Sequence, residues 1–306
     1  MNKGLAMCRK SLDSIAVVAS ALLLAGTCLP PGRAIADTGS APGRLQLAGW
    51  DMAPDRITTV DIDPGLLVTL DQAAATYKRL AAADVASAVT NIDKMLAALE
   101  ASDIQTARQA FIDGRAAYKR CKVLTVKFPY LASGIDPRHD SRVGFRAIET
   151  RLFTPGAPLP LAEAQALSDK LHTFQGVFAA EPVYAHGVMA GIYFRVHGLG
   201  EGLNEGSGEG KIGSRRYWLI DRQNEVAGIE LAWNTVFSAA VKKTTTGADD
   251  RVQKGFAEVN RLLGVASFDQ LDVSAFETTS QMLADAISDA VLALGWRPPR
   301  PEDAED

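Results

Sequence analysis

The stretch that decides the fold is residues 70–99, LDQAAATYKRLAAADVASAVTNIDKMLAAL. Its apolar residues recur at alternating steps of three and four, which places them on one face of an α-helix. They are Leu70, Ala74, Tyr77, Ala81, Val85, Ala88, Ile92, Met95 and Leu99. The pattern predicts one amphipathic helix of about 30 residues, roughly 45 Å long.

A second helix with the same spacing follows after a short turn. We expect Ser102 to cap it, and its apolar face runs from Ile104 to Val126, shortly before Pro129. Two long helices joined by a tight turn are typical of the opening of an antiparallel bundle.

The rest of the chain continues the helical pattern. A loop is expected at 129–140, and further helices at about 142–153, 161–178, 183–203, 216–241, 249–263 and 274–294. No pair of segments reads as a strand hairpin, so we predict an all-α helical bundle. A break near residues 155–160 leaves open a division into two packed four-helix sub-bundles.

The start of the chain has the features of an export signal. Basic residues in the first ten positions precede an apolar run at 15–26 and a small-x-small pattern ending at Ala36. We therefore expect cleavage after Ala36 and a periplasmic protein. A lipobox-like sequence ending at Cys28 leaves open an alternative, a lipoprotein anchored at that cysteine.

These patterns predict a domain organisation with four parts. Residues 1–36 form the signal peptide, 37–65 a polar lead-in, 66–295 the helical domain and 296–306 a disordered acidic tail.

Composition excludes several classes of function. Charged residues make up 22% of the chain, with a formal net charge of −4, so a nucleic-acid partner is not expected. No other segment is apolar for long enough to span a membrane. The zinc-hydrolase pattern H-E-x-x-H and the serine-hydrolase pattern G-x-S-x-G are both missing from the sequence.

The most informative motif is Gly144-Phe145-Arg146-Ala147-Ile148-Glu149. It resembles the G-F-H-x-I-E motif of the imelysin-like proteins of the bacterial envelope, particularly the EfeO/EfeM type linked to periplasmic iron uptake. Supporting similarities are the helix ending in Tyr118-Lys119, the segment Ile135–Asp140, and the spacing from Tyr217 to Asp221. The resemblance implies a helical bundle that binds iron or another divalent cation.

The departures from the family pattern change that expectation. Arg146 stands at the family's histidine and Lys119 at a glutamate, which leaves Glu149, Asp136, Asp140 and Asp221 as the metal ligands that the resemblance implies. A guanidinium cannot ligate a cation, and an ammonium repels one. We therefore predict a degenerate metal site in which an ion-pair cluster of Lys119, Arg146 and Glu149 replaces the metal.

The resemblance leaves three functions open. We expect a non-catalytic binding or accessory protein, whose implied partners are a permease or peroxidase component of iron uptake. The first alternative is an imelysin-type metallopeptidase, and the second is a structural envelope protein that binds no small ligand. A hydrolytic metal needs about three protein ligands and an open position for water, so we expect no enzymatic activity.

Overall fold

The computed structural model describes residues 62–137, 142–200 and 212–296, with the backbone alone for residues 212–216. Within these ranges the chain is mostly α-helical and contains no β-strand, which confirms the all-α prediction. The α-helices are α1 Pro64–Glu100, α2 Ile104–Arg120, α3 Pro129–Ile135, α4 Gly144–Leu152, α5 Leu161–Ala180, α6 Ala185–His197, α7 Ile212–Val236, α8 Ser238–Thr244, α9 Ala248–Leu263 and α10 Val273–Leu292. Outside the described residues lie the predicted signal peptide with Cys28, most of the lead-in, Asp140 and the predicted acidic tail beyond Trp296. Trp296 itself, the first residue of that tail, is buried in the core.

Helices α1 and α2 form the expected pair and pack along each other. The apolar residues from Leu70 to Leu99 are buried, as the spacing predicts. The cap of α2 differs from the prediction, because Asp103 rather than Ser102 accepts a hydrogen bond from the Thr106 amide, at 3.1 Å. Ser102 instead has a φ of 59° and reverses the chain between the two helices.

The second helix is shorter than predicted. It ends at Arg120, and residues 122–127 continue as a 3₁₀-helix. Two neighbouring helices, α6 and α7, come very close to the end of α2 and to this segment at glycine residues. A Cβ on Gly228 of α7 would lie 2.0 Å from the Arg120 carbonyl oxygen, and one on Gly191 of α6 would lie 1.9 Å from that of Val123. Their close approach holds the segment that follows α2 between α6 and α7.

The expected loop at 129–140 also differs, since α3 occupies its first half. The predicted helix at 216–241 is divided into α7 and α8 at Phe237.

The helices share one hydrophobic core, and all described residues belong to one compact unit. Helix α1 packs on α2 and α5, while α7 packs on α1, α2, α6 and α9. We therefore find no division of this part of the chain into two separate four-helix sub-bundles. No helix in the described part of the chain is both long and apolar enough to cross a bilayer.

Candidate functional site: a buried network of ion pairs

Charged side chains from six elements meet inside the bundle. Helix α2 carries Arg115 and Lys119, one turn apart, and the 3₁₀ segment after it adds Lys122. Helix α7, which packs on α2, brings Asp221 and Glu225 with the same one-turn spacing. Four-residue spacing puts two side chains on the same helix face, so two charged faces oppose each other. The remaining members come from α3, α4 and α6.

Arg115 is the best-paired cation of the network. Its Nε and Nη2 donate to the two carboxylate oxygens of Asp221 at 2.8 and 2.7 Å, and its Nη1 donates to Glu149 Oε2 at 2.5 Å. The side chains of Arg115 and Glu149 are each only 7% exposed. A fork of this kind is the strongest geometry available to an arginine and a carboxylate. Arg115 thereby ties together α2, α4 and α7.

Lys119 lies beside Arg115 and joins the network to the end of α3. Its Nζ lies 2.7 Å from Asp136 Oδ2 and 3.2 Å from Asp221 Oδ2. Lys122 Nζ contacts the same Asp136 oxygen at 3.2 Å. Two ammonium groups therefore share one carboxylate oxygen.

Glu225 gathers three cations at the other end of the network. Arg222 Nη1 donates to its Oε2 at 2.7 Å, Lys122 Nζ lies 3.5 Å from its Oε1, and Arg195 Nη1 lies 4.0 Å from the same oxygen. Acids and bases thus alternate through the interior in the order Glu149, Arg115, Asp221, Lys119, Asp136, Lys122, Glu225, Arg222.

The network shifts the pKa values of its carboxylates in different directions. Burial raises the pKa of each carboxyl group, but the neighbouring cations more than compensate at three positions. Lys119 and Lys122 hold the pKa of Asp136 well below its usual value, and Arg115 lowers that of Asp221. Lys122 and Arg222 lower the pKa of Glu225 to about 2.

Glu149 behaves differently from the other three acids. Desolvation raises its pKa above the ordinary value even though Arg115 opposes the shift. Its Oε2 accepts from Arg115, whereas its buried Oε1 has no hydrogen-bond partner among the described residues. The carboxylate is therefore only half satisfied, and a buried acceptor without a donor costs free energy.

The structure brings together most of the predicted site residues but alters the predicted pairing. Lys119 is buried as expected, yet its close carboxylates are Asp136 and Asp221 rather than Glu149. Glu149 pairs with Arg115. Arg146 is half-buried on α4, and its guanidinium forms no ion pair with any described residue.

The cluster of Lys119, Arg146 and Glu149 is corrected accordingly. Arg146 lies three positions before Glu149 on the same helix. The guanidinium that contacts the Glu149 carboxylate is nevertheless that of Arg115 on α2. The charge of Arg146 does act on Glu149, where it lowers the pKa. Asp140 lies outside the described residues.

The donor set does not suit a divalent cation. Asp136 and Asp221 each contact two or more cationic nitrogen–hydrogen groups, so a metal would have to displace those cations or bind beside them. Across residues 62–137, 142–200 and 212–296, no three or more His, Cys, Asp or Glu side chains are grouped so that they could hold a metal. The arrangement holds the helices together by charge.

Sequence reasoning missed Arg115, Lys122, Glu225, Arg195 and Arg222. A signal for three of them was present, because Arg115 lies one turn before Lys119, and Glu225 one turn after Asp221. Lys122 continues the basic face of α2 at a step of three. Arg195 carried no such signal, since its approach depends on the packing of α6 against the 3₁₀ segment.

Part of the chain matches the model of a known family. Residues 73–183 match the family model described as Imelysin (Peptidase_M75), a segment that runs from within α1 to beyond α5 and includes Arg115, Lys119, Asp136 and Glu149. This segment is imelysin-like, as its motifs indicate. Asp221 and Glu225 lie beyond the match. No curated protein matches the chain.

Proposed function

We propose that this chain is a non-catalytic, periplasmic imelysin-like protein of the EfeO/EfeM type, in which buried ion pairs have replaced a metal centre. The observation that carries the proposal is the position of Lys119. The family resemblance places a carboxylate there, whereas Lys119 directs an ammonium to within 2.7 Å of Asp136 and 3.2 Å of Asp221.

Electrostatics supports this reading. A divalent cation at the same carboxylates would meet the ammonium of Lys119 and the guanidinium of Arg115, which are both buried and charged. Coulomb repulsion between cations a few ångströms apart is strong where little water screens it. If these cations keep a metal from the carboxylates, the site lacks the Lewis acid and the activated water that metallopeptidase chemistry needs.

The resemblance extends the proposal to a cellular role. A link to iron uptake, with permease or peroxidase components as partners, follows from the similarity to EfeO/EfeM proteins. In iron uptake the chain would act by binding such a partner and not by catalysis. The ion pairs inside the bundle would hold its helices in one arrangement.

A peptide-hydrolysis assay tests the absence of catalysis. The full chain is incubated with unstructured peptide substrates with added zinc, with added chelator and with neither. We expect no hydrolysis above the protein-free rate in any condition. Zinc-dependent hydrolysis that disappears in Asp221→Asn would contradict the proposal and favour the imelysin-type metallopeptidase.

A restoring variant provides the matched control. Lys119→Glu combined with Arg146→His returns the family's residue types to both positions. If the cations exclude metal, this double variant should bind zinc more tightly than wild type in a calorimetric titration. Equal affinity in the two proteins would show that Lys119 and Arg146 do not decide metal binding.

A further inference from the structure

The Lys122 end of the network is short of negative charge. Lys122 approaches Asp136 at 3.2 Å, but Lys119 lies closer to the same oxygen, at 2.7 Å. Lys122 also approaches Glu225 at 3.5 Å, while Arg222 is bound to that carboxylate at 2.7 Å. Each acid that faces Lys122 is therefore engaged more closely by another cation.

Arg195 is the least satisfied cation at this end. Its side chain is 17% exposed, and its contact with Glu225 is 4.0 Å long. Its Nη2 donates to the hydroxyl of Thr125 at 3.1 Å, which supplies no charge. Its Nε is buried and has no hydrogen-bond partner among the described residues. A largely buried guanidinium with such poor pairing is costly unless an anion accompanies it.

Tyr118 gives an independent observation at the same place. The residue is fully buried, and its hydroxyl has no hydrogen-bond partner in the described part of the chain. Tyr118 lies four positions before Lys122, so the two side chains leave the same side of the chain where α2 passes into the 3₁₀ segment. The charges of Asp136, Arg195 and Glu225 also act on this hydroxyl. A buried hydroxyl without an acceptor is rare in folded proteins.

We propose that Arg195, Lys122 and Tyr118 form a binding site for a small oxyanion, a carboxylate or phosphate-type group. Arg195 offers its unpaired Nε and Tyr118 its free hydroxyl. Lys122 offers an ammonium whose two acid partners are each engaged more closely by another cation. The side chains of Lys122 and Arg195 keep 16% and 17% of their surface exposed, so both border solvent, whereas the Arg195 Nε and the Tyr118 hydroxyl are buried behind them. The proposal rests on the non-catalytic binding role and names its ligand class.

Calorimetric titration of the full chain with inorganic phosphate tests the site, in chloride buffer at constant ionic strength. A parallel titration with acetate distinguishes a carboxylate from a phosphate-type ligand. We expect saturable binding of at least one of the two. Arg195→Met should weaken it by about ten-fold or more, and Tyr118→Phe by several-fold, because each removes a donor from the anion.

Arg151→Met is the matched control, because Arg151 forms a half-exposed ion pair with Glu163 away from the network. It should leave anion affinity unchanged. Absence of saturable binding, or equal affinity in wild type and Arg195→Met, would overturn the oxyanion site. If Arg195→Met fails to fold by circular dichroism, Tyr118→Phe decides the question, and undiminished affinity in that variant overturns the site.

The two proposals fail separately. A chain that binds neither phosphate nor acetate but also hydrolyses no peptide loses the oxyanion site and keeps the non-catalytic role. Zinc-dependent hydrolysis removes the proposed function whether or not an anion binds.

Discussion

Replacing Arg115 with methionine tests whether the network stabilises the bundle. Methionine retains a long side chain for packing against Phe111 and Phe145, whose ring centroids lie 5.9 and 6.0 Å from the guanidinium carbon. The substitution removes both hydrogen bonds to Asp221 and the one to Glu149. Breaking a buried pair by removing one partner costs about 3–5 kcal/mol.

The cost should fall at the lower end of that range. Asp221 keeps Lys119 at 3.2 Å, so it is not left without a counter-charge. Glu149 can take up a proton, since its pKa is already raised. We therefore expect Arg115→Met to lower the free energy of unfolding by about 3 kcal/mol. Urea denaturation followed by circular dichroism would show a midpoint lower by about 1 M.

A second substitution separates charge from packing. In wild type, Glu149→Gln should cost about 1–2 kcal/mol, because it weakens a charge-assisted hydrogen bond to Arg115. In the Arg115→Met background the same change should cost nothing or restore some stability, since it removes a buried charge that has lost its partner.

Arg151→Met serves as the control here as well, because Arg151 pairs with Glu163 at 2.7 Å but is 48% exposed. We expect that loss to be a few tenths of a kcal/mol. If Arg115→Met is as mild as the control, or if its effect and that of Glu149→Gln simply add, the network does not stabilise the fold in the way we describe.

Three further predictions follow from the same structure. Gly228→Ala should lower the free energy of unfolding by about 3 kcal/mol in urea denaturation, because its Cβ would meet a backbone carbonyl oxygen. Gly176→Ala, with open space around the new Cβ, should instead stabilise α5 by about 0.5–1 kcal/mol, and similar effects of the two substitutions would refute the close contact at Gly228. Glu225→Gln should lose stability relative to wild type at neutral pH, and the difference should shrink by roughly 3 kcal/mol as pH falls from above 4.5 towards 2. The lowered pKa of Glu225 contributes fully to stability above pH 4.5, and protonation removes that contribution progressively down to about pH 2; a pH-independent difference between the melting curves would contradict this. Arg195→Met in buffer without oxyanions should be nearly neutral or stabilising, unlike Arg115→Met, and a loss as large as that of Arg115→Met in the same denaturation assay would show that Arg195 is already well paired.

The helical architecture could be predicted from the sequence because its signal is local. Alternating apolar steps place Leu70 to Leu99 on one face, and the structure buries them. The end of α2 could not be predicted in this way. It depends on the contact of Gly228 with the Arg120 carbonyl, which joins positions more than 100 residues apart.

In the candidate site, too, the burial of single residues could be predicted from the sequence, whereas pairing between helices could not. Motif comparison with a known family indicated that Lys119 and Glu149 lie inside the bundle, and both are buried. The predicted partner of Glu149 was wrong. The spacing within one helix favours Arg146, whereas the packing of the bundle brings Arg115 to Glu149 from another helix. Pairing across helices depends on their relative rotation and depth, which a periodic pattern does not encode.

Calorimetric titration of the wild-type full chain with ferrous iron and with zinc tests the central claim most directly. The claim is that buried cations engage the carboxylates which the family resemblance assigns to a metal. We expect no saturable binding of either ion to the wild-type protein at micromolar concentrations. Tight binding of iron or zinc that is lost in Asp221→Asn or Glu149→Gln would contradict the account and identify the chain as a metal carrier.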